Sequence, residues 1–330
     1  METVDKKLKV GVVGLGKMGL LHASLLSVMP TVQLAALCDK SWLMRKLAKS
    51  TLKGLLVTDK LDEMPNLNLD VVYVATPIPS HYGIVKEIYA REIARNVFVE
   101  KTLSSNHTQS EELCILAGAS QGHTMVGYMK RFSVTFRKAK ELLDQGVLGA
   151  LSSFDAYAYS SDFFGVKRDS VSGARGGVLE DLGSHVSDLA LWFFGDLLSS
   201  IKVSSSTDPR SDSVQFEVVG SNDFTGKFDI SWAKEGYRTP EFGLAIRGTE
   251  GTIKVDDSVL MFALDRAQSK TWYRQDLDDH VTFLLGESEY FRENDHFIKS
   301  IIFNGKSEPN FQTATKVDYL LEHVRCKANE

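Results

Sequence analysis

Cysteine is scarce: Cys38, Cys114 and Cys326 are the only three in 330 residues, with no CxxC and no histidine beside any of them at metal-ligand spacing. An odd, scattered set of thiols excludes a disulfide framework, leaves no metal site to expect, and fits a reducing compartment. No uncharged apolar run approaches the roughly 20 residues that a membrane-spanning helix needs. The opening METVDKKLKVGVVG lacks the apolar core and cleavage site of a secretory signal and turns straight into a β-like run. These absences predict a cytoplasmic protein. Charge does not cluster either, since 38 Lys and Arg stand against 43 Asp and Glu for a net charge of −5, without a run of one sign. Nucleic acid and membrane surfaces are therefore not expected as partners. Internal repeats and low-complexity tracts are also missing, and the Asn106-His107-Thr108 sequon reads as chance without a secretory route.

What the chain does have is an ordinary globular interior, 43% hydrophobic with 18 Phe and 10 Tyr, in a length that exceeds one hydrophobic core. Two domains follow. In residues 1–127, short β-branched runs alternate with amphipathic stretches, the pattern of a parallel sheet with helices on both faces. The strand candidates are Leu8 to Val13, Val32 to Cys38, Val71 to Ala75, Val97 to Glu100 and Thr124 to Val126. Leu21, Leu25 and Val28 mark the inward face of the first helix before Pro30 ends it. From about Tyr128 the texture changes to one helix, Phe132 to Leu143, and then strands punctuated by Gly, Asn and Asp. Ser152 to Tyr159, Ser199 to Ser205, Val214 to Val219, Phe224 to Trp232, Phe242 to Arg247 and Gly251 to Val255 predict a large, mostly antiparallel open sheet in residues 128–330. Helical periods close the chain at Asp295 to Ile302 and Phe311 to Val324.

Gly14-Leu15-Gly16-Lys17-Met18-Gly19 is a GxGxxG pattern directly after a strand candidate and directly before a helix candidate. As a bare string it would be chance; its place in the first βα turn gives it weight. The first glycine permits the turn, the second lets a pyrophosphate approach, and the third lets the helix pack on the sheet, with Lys17 and Met18 bringing helix-terminal amides to the phosphates. Asp39 lies twenty residues after Gly19 at the end of the second strand, where a carboxylate accepts from both hydroxyls of an adenosine ribose. That favours NAD over NADP, although the neighbouring Lys40 softens repulsion of a 2′-phosphate and leaves NADP open. The plainer reading of Asp39 is a turn residue. Thr76, Pro77 and His81 follow the next strand at the same sheet edge, with Ser80 available as a helix cap. Together these features predict an N-terminal Rossmann domain, doubly wound, over residues 1–127.

Glu100-Lys101 ends a further strand, where a lysine projects beside a nicotinamide. A lone strand-end lysine is more often plain surface. Later, Asp181, His185 and Asp188 fall at i, i+4 and i+7 and share one face of a helix that continues into the apolar run Leu189 to Phe194. Hydride transfer from a secondary alcohol needs a base for the hydroxyl proton and a positive group near the developing alkoxide. His185 and Lys101 supply these, and Asp181 holds the substrate hydroxyl or orients His185. The other seven histidines read as satisfied core or surface residues.

The combination of GLGKMG, Glu100-Lys101 and the GG-x3-D-x3-H segment resembles the glucose-fructose oxidoreductase, inositol dehydrogenase and rhizopine catabolism (Gfo/Idh/MocA) family, as do Asp70 to Pro77, His81 and the link Gly127 to Phe132. The resemblance covers nearly the whole chain. It implies a Rossmann domain for the nicotinamide cofactor and a C-terminal α/β domain, residues 128–330, for substrate and for homodimer or homotetramer contacts through its open sheet. It implies Lys101, Asp181 and His185 as the catalytic set, Glu100 and Lys101 beside the cofactor, and Tyr128, Lys130 and Arg131 with Asp181 and His185 at the substrate. The alternative for Lys130 and Arg131 is a basic pair facing water. Tyr157, Tyr159, Asp162 and Phe163 are candidates to line the pocket. Two departures stand out: Thr102 replaces the usual proline after the lysine, and Arg175 occupies a small-residue position, as a contact for an acidic substrate group or as a solvated arginine. The implied activity is NAD-dependent oxidation of a sugar or polyol, including sugar acids and nucleotide sugars. A hydride-shuttle lyase or glycosidase and a non-catalytic NAD-binding sensor are the alternatives.

Overall fold

The computed structural model describes residues 7–162, 176–198, 202–207, 212–264, 269–281, 283–284, 286 and 288–328. The chain divides into two compact units, Met1–Tyr128 with Tyr290–Asp318 and Met129–Glu289 with Tyr319–Glu330.

In the first unit six parallel strands, β1 (Leu8–Val13), β2 (Val32–Cys38), β3 (Leu56–Thr58), β4 (Val71–Val74), β5 (Asn96–Val99) and β6 (Thr124–Val126), lie in the order β3-β2-β1-β4-β5-β6. The helices between them are α1 (Lys17–Ser27), α2 (Trp42–Thr51), α3 (Ile78–Ala90) and α4 (His107–Ser120). Strand order reverses between β1 and β4, so right-handed crossovers place α1 and α2 on one face and α3 and α4 on the other. Burial on both faces explains the unbroken apolar runs: every residue of Val71–Val74 is fully buried. On α1 the inward face is His22, Ala23, Leu25 and Leu26, and Val28, expected inside, is 54% exposed. The buried stripe includes His22, which has buried hydrogen-bond partners of its own, described below. Ser80 does not cap α3; Pro77 is the N-cap, and the Ser80 hydroxyl lies 2.7 Å from the Pro77 carbonyl. Asn106, the sequon residue, caps α4 by accepting from Gln109 N.

A single cut after residue 127 does not describe the division, because residues 290–318 return to the first unit. The returning chain satisfies the edge strand: Val126 N donates to Pro309 O at 2.9 Å and Ser307 Oγ to Thr124 O at 3.0 Å. Phe297, on α7 (Ser288–Ile302), packs on Tyr73 and Phe98, and Asp318, on α8 (Phe311–Lys327), accepts from Ser110.

The second unit is built on eight strands in the order β14-β13-β12-β11-β7-β10-β9-β8. They are β7 (Leu151–Tyr159), β8 (Lys202–Ser206), β9 (Ser213–Val219), β10 (Thr225–Ser231), β11 (Glu241–Gly248), β12 (Gly251–Asp256), β13 (Val259–Leu264) and β14 (Lys270–Tyr273). Only β7 and β10 pair in parallel; the other neighbours are antiparallel. α5 (Val134–Asp144) packs on β12 and β13, and α6 (Ser184–Phe194) on β7 and β11. Alternate residues then face a helix or the outside, which is why β9 alternates exposed and buried along its length. β3, β13 and β14 are strands that the sequence reading does not contain. β3 and β14, of three and four residues, are edge strands of their sheets, and β13 is the apolar run VLMFAL beside β14.

Candidate cofactor and catalytic sites

The glycine turn joins β1 to α1. Gly14 adopts φ +92°, open to glycine and strained for other residues, and a Cβ on Gly19 would run into the Gly14 carbonyl. Gly16 is the N-cap of α1, with no side chain bonded to the helix terminus, so Lys17 and Met18 begin α1 with its first amides uncapped. A Cβ on Gly16 would meet no protein atom within 4 Å. An open, uncapped helix terminus next to a tight turn is what a pyrophosphate requires, and these residues fit a dinucleotide. The Asp39 carboxylate accepts from Leu15 N at 2.5 Å and Ser41 N at 2.7 Å, tying the end of β2 to the glycine turn. A carboxylate has about four acceptor positions, so two amides leave room for ribose hydroxyls. Lys40 is exposed beside it.

At the next strand ends, Thr76 is half-buried and Pro77 exposed, whereas His81 is fully buried. Its Nε2 lies 2.7 Å from Thr76 O and its Nδ1 2.8 Å from Thr102 O. Burial holds this imidazole below its ordinary pKa although both carbonyls favour the proton. His81 therefore braces the Thr76 turn against the Lys101 turn from behind. The Lys101–Thr102 peptide is cis. Glu100 is nearly buried; Oε2 accepts from Lys101 N at 3.2 Å and Oε1 lies 2.8 Å from His22 Nε2. His22 Nδ1 in turn lies 3.0 Å from Asn294 Oδ1. The sequence reading left His22 among the histidines taken as satisfied core or surface residues. It sits three residues after Gly19 on the sheet-facing side of α1, the spacing that could have linked it to the site.

In the second unit, Leu179–Gly183 forms a π-turn leading into α6, where an α-helical period was expected; such widened turns occur often at functional sites. Asp181 Oδ2 accepts from Trp232 Nε1 at 3.2 Å. His185, 7% exposed, packs edge-on against Phe242 with ring centroids 5.1 Å apart. Asp188, expected on the same functional face, is buried and held bidentately by Arg131 at 2.6 and 2.7 Å. Lys130 lies 2.6 Å from Asp257 and 4.8 Å above the Phe242 ring. Asp257 also accepts from Phe242 N at 3.0 Å, and burial raises its carboxyl pKa against the opposing pull of Lys130. So Lys130 and Arg131 neither face water nor stand as open donors; both are buried in carboxylate pairs. Tyr128 is fully buried at the end of the first unit. Tyr157 and Tyr159 alternate with the buried Ala156 and Ala158, so they face the side of the sheet away from α6, bonded to Glu241 and Asp229. Asp162 is exposed beyond β7, and Phe163 and Arg175 lie outside the described residues. Trp232, Phe242 and Asp257 carry no local motif, so the sequence had no signal for them. Among the described residues no group of acidic, histidine or cysteine side chains is arranged for a metal, and no helix is long and apolar enough to cross a membrane.

Residues 8–128 match the oxidoreductase family with the NAD-binding Rossmann fold, and residues 136–254 match the GFO/IDH/MocA C-terminal domain. The chain is 25% identical over 210 residues to an uncharacterized oxidoreductase, YrbE, of Bacillus subtilis, covering 60% of this chain and 57% of that protein. It is 24% identical over 261 residues to the scyllo-inositol 2-dehydrogenase (NAD(+)) of the same organism, covering 76% of this chain and 74% of the relative. The first of these alignments thus spans less than two thirds of the relative. Levoglucosan dehydrogenase, solved in complex with NADH, has the same fold at a TM-score of 0.84 and 18% identity, over 98% of this chain and 97% of that one.

Proposed function

The chain belongs to the GFO/IDH/MocA oxidoreductase family, with an NAD-binding Rossmann domain, and from that premise we propose that it is a cytoplasmic NAD-dependent dehydrogenase acting on a secondary alcohol of a sugar or cyclic polyol. The observation that carries this reading lies in the first unit. The glycine turn, Asp39 and Glu100-Lys101 stand at the carboxyl ends of β1, β2 and β5, the edge at which a doubly wound sheet takes its ligand. Relatives named for scyllo-inositol and levoglucosan support the substrate class.

In this reading NAD, when bound, supplies the hydride acceptor. Gly14, Gly16, Lys17, Met18 and Gly19 hold the pyrophosphate, Asp39 and Lys40 the adenosine ribose, and Thr76 and Pro77 the adjoining strand-end edge, with His81 and Glu100 supporting that edge from within. His185 takes the hydroxyl proton as the carbon gives up its hydride, Lys101 meets the developing alkoxide, and Asp181 holds the hydroxyl and orients His185. Tyr128, Lys130 and Arg131 belong to the frame of the substrate site. Because both cations are already matched by Asp257 and Asp188, an uncharged polyol or sugar suits this site better than a sugar acid. The open face of the second sheet, with a depression of about 550 Å³ lined by residues such as Tyr157, Tyr159, Lys227 and Asp229, is proposed as the contact in a homodimer or homotetramer, to be checked by light scattering.

The decisive experiment is NADH formation at 340 nm across inositols, aldoses, sugar acids and nucleotide sugars, repeated with NADP. Turnover on one neutral polyol or sugar with NAD is the expected result. Silence in protein that binds NAD overturns the assignment in favour of a hydride-shuttle lyase or a sensor. His185→Ala should lower turnover by about 10² to 10⁴ with NAD affinity unchanged, and undiminished turnover would remove His185 from its role.

A further inference from the structure

Trp232 follows the last residue of β10 and is 1% exposed. Its main-chain N donates to Asp212 O at 2.9 Å, and its indole N–H donates to Asp181 Oδ2 at 3.2 Å. An indole N–H is a donor only, and a buried one requires an acceptor. Here the acceptor is a carboxylate 51 residues earlier in the chain, on a different element. The Asp181 main chain is fixed independently: its N, within the π-turn Leu179–Gly183, donates to Gly177 O just before the turn at 2.9 Å. That turn lies close against β10, since a Cβ on Gly183 would meet Ile230 Cδ1 at 3.0 Å.

An aspartate side chain has a broad, roughly two-fold χ2, so fixing its main chain leaves the carboxylate plane free to turn. A donor on one oxygen removes that freedom. We propose that Trp232 is the positioning residue of the catalytic carboxylate: its indole N–H fixes the plane of Asp181 so that the other oxygen is presented to the substrate hydroxyl and to His185. This rests on the assignment of Asp181 to the catalytic set. Misplacement of a reacting group by about 1 Å costs on the order of 10²-fold in rate, so loss of the indole donor should be visible in kcat.

The test is a double-mutant cycle of Trp232→Phe and Asp181→Asn, assayed with NAD and the member of the inositol and aldose panel that turns over. Trp232→Phe alone should lower kcat about 10- to 100-fold, with KM for NAD unchanged and KM for the alcohol within about threefold. In the Asp181→Asn background the same change should cost less than about twofold, because the group it positions is already lost. Equal losses in both backgrounds would mean that Trp232 only fills space, and would overturn the proposal. Normal kcat in Trp232→Phe with impaired Asp181→Asn would also overturn it while leaving the catalytic reading intact. Full activity in Asp181→Asn would overturn that reading itself. A second measurement does not depend on the Trp232 variant folding: in protein labelled with ¹⁵N-tryptophan, Asp181→Asn should move one of the four indole N–H resonances clearly more than the rest. If all four stay in place, the hydrogen bond is not present in solution.

Discussion

The candidate residues of the two units are held in different ways. In the first unit most partners are main-chain groups: Asp39 accepts from Leu15 N and Ser41 N, Glu100 from Lys101 N, and His81 lies between the carbonyls of Thr76 and Thr102. In the second unit the partners are side chains brought from far along the sequence, Arg131 with Asp188, Lys130 with Asp257 and Trp232 with Asp181, at separations of 57, 127 and 51 residues. A main-chain N–H is present whatever residue other than proline occupies its position. A side-chain pair needs both members, and removing one strands a buried charge. His22 with Glu100 is the exception in the first unit and marks where that unit shares the vulnerability of the second.

The contrast breaks most visibly at Arg131. Asp188 is 1% exposed, so Arg131→Ala leaves a carboxylate with no room to reach water and should cost about 3 to 5 kcal/mol in urea unfolding. Replacing both residues together, Arg131→Met with Asp188→Leu, should recover most of it; a loss under about 1 kcal/mol in the single variant would abolish the distinction between the units. Lys130→Met should cost less, about 2 kcal/mol, and in a pH-dependent way. Burial already raises the Asp257 carboxyl above its ordinary pKa, and Lys130 opposes that shift, so removing the lysine raises it further. A carboxyl raised in the folded state keeps a proton that the unfolded chain has released, so its contribution is present at low pH and is lost as pH rises through the folded value. The deficit of Lys130→Met should therefore be smallest at the acid end of the pH range and grow as pH rises. A deficit independent of pH would mean that Asp257 does not carry the charge.

The same contrast explains what could be read from the sequence. The Rossmann strands β1, β2 and β6 fall on the residues expected, because a doubly wound sheet buried on both faces leaves apolar runs that local pattern detects. The glycine turn and Asp39 were legible for a related reason: they end β1 and β2 of one short βαβ segment, so their spacing is local. Lys101, Asp181 and His185 were reached through resemblance of motifs, and the placement of Lys101 and Asp181 in turns at Lys101–Thr102 and Leu179–Gly183 was not visible in any period. Arg131 and Lys130 read equally as donors to substrate or as a basic pair facing water, because their carboxylate partners lie beyond the reach of a local window. Trp232 and Phe242 entered the sequence reading only as ends of strand candidates, and both are buried; that one donates to Asp181 and the other backs His185 is a property of strand register. The return of residues 290–318 to the first unit was illegible for the same reason, since it depends on hydrogen bonds to β6 that no amphipathic period encodes.

The smallest expected effect lies where main-chain anchoring should protect the fold. Asp39→Asn keeps one carbonyl oxygen for Leu15 N or Ser41 N and loses the second acceptor and the charge. One hydrogen bond at a half-buried position should cost about 1 kcal/mol of stability, well below the Arg131 effect. The cofactor should respond differently from the fold. A neutral amide accepts more weakly from ribose hydroxyls, so KM for NAD should rise about tenfold, and it no longer repels a 2′-phosphate, so KM for NADP should fall. Two cations nearby favour that second change: Lys40 is exposed, and Arg45, whose guanidinium caps the carbonyls of Asp39 and Lys40 at 2.8 and 2.9 Å, pairs with Asp59 at 3.3 Å. The ratio of the two KM values separates the roles, because a carboxylate serving only as a clamp on the glycine turn would weaken both cofactors together and leave their ratio where it was.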